Sequence, residues 1–131
     1  MGKIRKIKET CLYVTDLDET EKFYNGMLGF PVIFKKSGRH IFFRVGSDVL
    51  LCFISEITKN DTSLPPHYGS GEQHLAFEVS QEDYHAMKDD LTRLAIPIIH
   101  EEHWRGNIYS AYFKDPDGHL LEIVTEGLWD C

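Results

Sequence analysis

Residues 112–122 read Tyr-Phe-Lys-Asp-Pro-Asp-Gly-His-Leu-Leu-Glu, and this stretch decides the fold. Its Asp-Pro-Asp-Gly centre predicts a tight turn, because Pro presets the backbone of a turn and Gly accepts the positive φ that closes it. The apolar segments on either side predict two strands, about 107–114 and 119–125. A similar segment lies 70 residues earlier and aligns Cys52 with Glu122. The chain therefore contains an internal repeat.

The repeat includes the beginning of each half. Glu9–Val14 corresponds to His74–Val79 at an offset of 65 residues. A helix-start signal follows each segment, at Asp16 or Asp18 in the first half and at Ser80 in the second. Further strands are predicted around 31–36, 40–45, 49–55 and 97–102. The order β-α-β-β-β thus occurs twice, which predicts an α+β fold of two modules related by a pseudo-twofold axis.

The predicted modules lie within a single domain of 131 residues. Module 1 covers about 7–56 and module 2 about 73–126. A polar linker with Pro and Gly covers about 57–72.

Composition excludes several partners. The net charge is −7, from 21 acidic and 14 basic residues, which argues against nucleic acid and anionic membranes. No segment has the run of about 18 apolar residues that spans a bilayer, and no secretory signal is evident. The three cysteines form no close pair, which is typical of reduced thiols in the cytoplasm.

The repeat-related positions favour a metal site. Glu9, Cys52, His74 and Glu122 are all predicted on strands, and opposed sheets would direct them inward together. The two carboxylates and one imidazole suit Mn²⁺, Fe²⁺, Co²⁺, Ni²⁺ or Zn²⁺ and leave coordination positions for substrate. Each residue also has a common structural interpretation, as a solvated charge or a hydrogen-bonded histidine.

Several segments resemble the glyoxalase, bleomycin-resistance and extradiol-dioxygenase superfamily, the vicinal oxygen chelate proteins. They are residues 10–17 (Thr-Cys-Leu-Tyr-Val-Thr-Asp-Leu), Phe23-Tyr24, Leu28-Gly29-Phe30, 74–77 (His-Leu-Ala-Phe) and 112–122. The resemblance implies paired βαβββ modules with curved mixed sheets around a divalent metal that chelates vicinal oxygens of a substrate. It places the metal ligands at Glu9, His74 and Glu122.

Departures from the family pattern bear on the reaction. Most members carry His where Glu9 stands. Glyoxalase I enzymes carry a fourth ligand, a carboxylate that is also the catalytic base, where Cys52 stands; Cys52 is either a thiolate contact to metal or substrate or a small core residue. Fosfomycin-modifying thiol transferases have Thr at the position of Cys11 and a cationic cluster, of which Arg105 is a single candidate.

Extradiol dioxygenases have a His and a Tyr before the final Glu, and His103 and Tyr112 stand 19 and 10 residues before Glu122. The resemblance implies acid–base catalysis by His103 and a hydrogen bond from Tyr112 to substrate. Trp104 and Arg105 complete the candidate substrate contacts.

Two functions remain open at this level. The leading one is a metal-dependent lyase or dioxygenase acting on a small substrate. The alternative is a metal-free antibiotic- or small-molecule-binding protein, in which Trp104, Tyr109 and Trp129 stack on an aromatic ligand. The resemblance implies a homodimer for both, and modules exchanged between chains would let Glu9 of one chain share a metal with His74 and Glu122 of another.

Overall fold

The computed structural model describes residues 2–130 and divides into two compact units, one ending at Ser70 and the other beginning at Gly71. Each unit contains a four-stranded mixed sheet, and the two sheets have the same topology. The predicted pair of βαβββ modules is confirmed. Within residues 2–130, no helix is long and apolar enough to cross a bilayer.

The first unit has strand order β1-β4-β3-β2, with β1 parallel to β4 and the other neighbours antiparallel. Its strands are β1 (Glu9–Val14), β2 (Val32–Lys36), β3 (His40–Val45) and β4 (Asp48–Ile54). Its helices are α1 (Leu17–Glu21), which continues as a π-helical segment over Lys22–Met27, and the short α2 (Ser55–Thr58).

The second unit has strand order β5-β8-β7-β6, with β5 parallel to β8. Its elements are β5 (His74–Val79), α3 (Gln81–Arg93), β6 (His100–Arg105), β7 (Ile108–Lys114) and β8 (Leu120–Thr125).

Side-chain capping begins the two main helices where the sequence predicts it. The Asp16 carboxylate accepts hydrogen bonds from the backbone N–H groups of Asp18 and Glu19 at 2.9 and 3.1 Å. The Ser80 hydroxyl accepts one from Asp83 N–H at 3.1 Å. Each cap satisfies donors that have no partner inside the helix, so short local signals were sufficient here.

Strand β6 begins later than predicted. The sequence favoured residues 97–102, but the strand covers His100–Arg105. Helix α3 ends in a reversal at Ala95, which has φ of 59°, and Ile96 N–H bonds to the Leu91 carbonyl. Residues 97–99 follow this C-terminal turn without a strand assignment, although Ile99 N–H already donates to the Tyr112 carbonyl at 2.8 Å.

Alternation along the strands gives each sheet two faces. One face of each sheet carries most of the buried core. In the first unit this face includes Leu12, Ile41, Phe43, Leu50 and Cys52, and in the second it includes Ala111, Phe113, Leu121 and Ile123. We call these the core faces. Tyr24 of the π-helical segment packs on Phe43, and Tyr84 of α3 stacks on Tyr109.

Strand register changes the predicted repeat by one residue. Glu9 pairs with Val49 in the first sheet, and His74 pairs with Leu120 in the second. Two residues further along β4 and β8 stand Leu51 and Glu122, so Leu51 is the structural counterpart of Glu122. The predicted match of Cys52 to Glu122 is wrong. The sequence alignment used an offset of 70 residues, whereas strand pairing relates Leu51 to Glu122 and so requires an offset one residue larger.

Candidate functional site

His74 and Glu122 meet on the face of the second sheet opposite its core face, which we call the site face. The His74 Nε2 atom lies 3.2 Å from Glu122 Oε1. The His74 side chain is 49% exposed and the Glu122 side chain only 7%. The pair therefore joins a solvent-accessible imidazole to a buried carboxylate.

Hydrogen bonding defines which nitrogen of His74 is open. Nδ1 lies 2.8 Å from the Leu120 carbonyl oxygen, which can only accept, so Nδ1 carries the hydrogen. In the neutral ring, Nε2 then presents a lone pair toward a carboxylate oxygen. Two lone pairs this close require a proton or a cation between them.

The separation fits a shared metal ion. Bonds of about 2.0–2.2 Å to one ion, at the angles of tetrahedral or octahedral sites, place neighbouring donor atoms about 2.8–3.6 Å apart. The observed 3.2 Å lies in that interval. Imidazole nitrogen with carboxylate oxygen is a donor set suited to divalent metals from Mn²⁺ to Zn²⁺.

Two further side chains hold Glu122. The Ser110 hydroxyl donates to Glu122 Oε2 at 2.5 Å and is itself fully buried. The Trp104 indole N–H donates to the Ser110 oxygen at 2.9 Å. These hydrogen bonds fix Oε2 of Glu122, and Oε1 points toward His74. Metal ligands are commonly oriented by hydrogen bonds of this kind.

Tyr112 lies between two histidines on the site face. Its ring centroid is 6.3 Å from that of His74 and 5.7 Å from that of His100. Burial, the negative charge of Glu122 and a hydrogen bond to that carboxylate raise the pKa of the Tyr112 phenol. Tyr112 therefore stands beside Glu122 as a protonated hydrogen-bond donor.

The Asp-Pro-Asp-Gly-His turn positions His74. Asp115 Oδ1 accepts from His119 N–H at 2.9 Å, and buried His119 accepts through Nδ1 from Gln73 N–H at 3.0 Å. Leu120 N–H donates to the Gln73 carbonyl at 2.8 Å. The residue that precedes His74 is thus fastened to the start of β8. Gly118 has φ of 81°, which a side chain would strain.

Glu9 is an exposed residue of β1 in the first unit. It lies on the sheet face opposite the core face, together with Leu51 and Phe42 by register. Within residues 2–130, no three His, Cys, Asp or Glu side chains are gathered closely enough to hold a metal. The structure therefore brings His74 and Glu122 together within the second unit, and Glu9 belongs to the first unit.

Three other predicted site residues lie elsewhere. Cys52 is completely buried on the core face of the first sheet, between Leu12 and Ile41, so it is the core residue of the two alternatives. The Arg105 guanidinium donates to the Gly127 and Leu128 carbonyls at 3.3 and 2.7 Å, which gives it a structural role.

His103 is the third. It pairs with Tyr109 on the core-face side of the sheet, whereas Tyr112 pairs with Glu122 on the site face. The His103 ring stacks on Tyr109 at 4.4 Å. This position does not support the predicted acid–base role of His103, because its side chain projects from the sheet face opposite to that of Tyr112 and Glu122.

Sequence reasoning missed Ser110 and the pair His100–Glu102, whose Nε2 and Oε2 atoms lie 2.9 Å apart on the site face. His100 lies inside the predicted strand 97–102, so an even spacing from Tyr112 across the predicted hairpin could have identified it.

Comparisons with known proteins identify the family. The model of the Glyoxalase/Bleomycin resistance protein/Dioxygenase superfamily matches residues 6–123. The chain is 27% identical over 128 residues to the metallothiol transferase FosB of Lysinibacillus sphaericus, covering 97% of this chain and 86% of that protein. It is 27% identical over 126 residues to the glutathione transferase FosA of Serratia marcescens, covering 95% and 84%.

Among solved structures, a lactoylglutathione lyase from Agrobacterium tumefaciens is similar with a TM-score of 0.91 and 31% identity, covering 97% of this chain and 98% of that one. The family-model match and this relative both extend over nearly the whole sequence. The chain belongs to the Glyoxalase/Bleomycin resistance protein/Dioxygenase superfamily.

Proposed function

We propose that this protein is a metal-dependent enzyme acting on a small substrate with vicinal oxygens, and that Glu9, His74 and Glu122 are its metal ligands. The observation that carries the proposal is the 3.2 Å approach of the His74 lone pair to the buried Glu122 carboxylate. A divalent ion bound here would neutralise the negative charge of the Glu122 carboxylate, which is buried away from water.

The bound metal supplies Lewis-acid stabilisation of negative charge on substrate oxygens. The other contributions come from side chains of the protein. Ser110 holds the Glu122 carboxylate, and Tyr112 offers its hydroxyl beside it. Trp104 is 45% exposed next to Ser110 and provides an apolar surface for substrate.

The relatives support this class. One is a metallothiol transferase, and another is a lactoylglutathione lyase. The two names describe different reactions, so the proposed substrate is the one that the family resemblance implies: a compound with two adjacent oxygens. We also propose that the protein is a homodimer, as the family resemblance implies, and that it is cytoplasmic, as its unpaired cysteines indicate.

Metal affinity tests the ligand set. Wild-type protein titrated calorimetrically with Mn²⁺ or Ni²⁺ is expected to bind one ion per site. Loss of a ligand in Glu122→Gln is expected to weaken that affinity by at least about 100-fold, the upper end for removing a supporting residue.

Glu78→Gln is the matched control, since Glu78 is an exposed carboxylate of β5 on the site face. It is expected to bind metal as the wild type does. Equal affinities for wild type and Glu122→Gln would contradict the proposal, and tight ligand binding without any metal dependence would favour the metal-free alternative.

A mixing experiment determines which chain supplies Glu9. Glu9→Ala and Glu122→Ala are each expected to be inactive as homodimers. If the ligands come from different chains, mixed dimers regain one intact site, and activity returns. If they come from one chain, every site in the mixture lacks a ligand, and no activity returns.

A further inference from the structure

His40, the first residue of β3, has a polar ring in an apolar environment. Among residues 2–130, neither ring nitrogen of His40 has a hydrogen-bond partner, and both nitrogens are enclosed although the residue as a whole is partly exposed. Strand register gives Ser110 the equivalent position in the second sheet, and its hydroxyl donates to Glu122 and accepts from the Trp104 indole. The polar group at this position is thus paired in the second unit but, within the described part of the chain, unpaired in the first.

Three aromatic rings surround the His40 imidazole. It stacks on Phe42 with centroids 4.5 Å apart and planes at 13°, and its centroid lies 5.5 Å from that of Phe34 and 5.8 Å from that of Phe53. Register places all four residues on the face opposite the core face of the first sheet. We call His40, Phe34, Phe42 and Phe53 the aromatic cluster. An imidazolium loses more hydration energy in such a cluster than a neutral ring does, so burial favours the neutral form.

The charged groups next to His40 also favour the neutral ring. Lys36 pairs with His40 across β2 and β3, and Arg39 precedes it in the chain. Burial, followed by the positive charges of Arg39 and Lys36, lowers the pKa of His40, and the Asp61 carboxylate opposes this shift without cancelling it. Both Asp61 oxygens already accept from the Arg39 guanidinium, at 2.8 and 2.7 Å, so the charge of Asp61 is largely compensated.

Two further titratable groups face the cluster from other parts of the first unit. The His67 ring lies 4.8 Å from Phe53, and the Tyr13 ring of β1 lies 6.5 Å from it. Histidine gains positive charge as the pH falls, and burial raises the pKa of the Tyr13 phenol, which therefore stays neutral. These two groups give a protonated His40 no compensating negative charge.

We propose that His40 is an acid-sensitive switch of the first unit, which rotates out of the aromatic cluster toward water when it gains a proton. An imidazolium has two N–H donors, and the enclosed position of His40 offers them no acceptor among residues 2–130. Part of the residue already reaches the surface, so a local rotation is sufficient and the unit need not unfold. The movement uncovers the Phe42 ring on which His40 is stacked. The inference concerns the first unit alone and does not depend on the metal ligands.

The pH dependence of stability follows from this arrangement. His40 binds a proton more weakly in the folded state than in the unfolded state. The unfolded state therefore binds more protons once the pH falls below about 6.5, the ordinary pKa of histidine. The free energy of unfolding should fall from that pH downward until the pH reaches the lowered pKa of folded His40. Asp61 stays ionised above about pH 5, because its own pKa lies below 3.8.

Urea unfolding between about pH 7.5 and about pH 5 measures this linkage. His40→Phe keeps an aromatic ring without a titrating group. Below about pH 6.5, the folding equilibrium constant of the wild type should fall relative to that of His40→Phe by up to about tenfold per pH unit. His85→Phe, at an exposed histidine of α3, is the matched control and should keep the wild-type pH dependence. An equal pH dependence of the wild type and His40→Phe would overturn the proposal.

Histidine ring NMR of the wild-type protein provides a second test, which requires no variant to fold. The His40 ring is expected to titrate with a midpoint below about 6.5. Nuclear Overhauser contacts between the His40 and Phe42 rings, expected at about pH 7.5 from their stacking, should disappear with the same midpoint. A His40 midpoint at or above about 6.5, or contacts to Phe42 that persist once His40 is protonated, would show that His40 is not a switch of this kind.

Discussion

Introducing one carboxylate at either of two adjacent positions tests the register that relates the two units. Cys52→Glu places it where sequence alignment matched Glu122, and Leu51→Glu places it where the sheets match Glu122. Only the second position shares a sheet face with Glu9. We expect Cys52→Glu to unfold the protein readily and Leu51→Glu to create an additional metal ligand.

The magnitudes follow from the surroundings. Cys52 is completely buried between Leu12 and Ile41, so an unpaired charge there costs about 3–5 kcal/mol. At about 4 °C per kcal/mol for a chain of this size, the melting temperature falls by about 12–20 °C. Leu51 is 7% exposed, and losing its burial costs about 2 kcal/mol, or about 8 °C.

Thermal unfolding with and without Mn²⁺ or Ni²⁺ distinguishes the variants. An added ligand that tightens binding tenfold contributes about 1.4 kcal/mol at a fixed metal excess. The metal-induced rise in melting temperature of Leu51→Glu should therefore exceed that of the wild type by about 6 °C. Cys52→Glu should show no such excess. The opposite result, a stable Cys52→Glu with the larger metal response, would refute the register argument.

Two further predictions concern stability away from the site. Burial, followed by the charge of Glu101, raises the pKa of Tyr84 to about 12, so the folded state binds this proton more tightly than the unfolded state does. The free energy of unfolding should fall as pH rises from about 10 toward about 12. Urea titrations should show a weaker pH dependence for Tyr84→Phe. The control Tyr68→Phe, at an exposed tyrosine, should keep the pH dependence of the wild type. Arg39 makes two hydrogen bonds to Asp61, at 2.8 and 2.7 Å, and lowers its pKa below 3.8. Arg39→Lys should lower the free energy of unfolding at pH 7, and the difference from wild type should shrink as pH falls through the lowered pKa of Asp61. An unchanged difference at pH 2 would show that the pair is not its source.

Local sequence signals were enough for the elements and their order. The caps at Asp16 and Ser80 and the turn at residues 115–118 depend on neighbours within a few residues. The cap at Ser80 and the turn were predicted where they occur, and Asp16 was one of two candidates for the first cap. The His74–Glu122 pair was also predicted, because the internal repeat and the family motif both mark it. The repeat could be recognised without coordinates, since both copies retain the same order of apolar segments.

Only the tertiary structure decided which face each strand residue occupies. Side chains alternate along a strand, so an error of one residue moves a side chain through the sheet. This exchanged Leu51 for Cys52 in the repeat, and the pairing of β6 with β7 places His100 beside Tyr112, where the family resemblance had pointed to His103. Pairing between strands sets this register through contacts distant in sequence, and spacing along a single strand does not contain them.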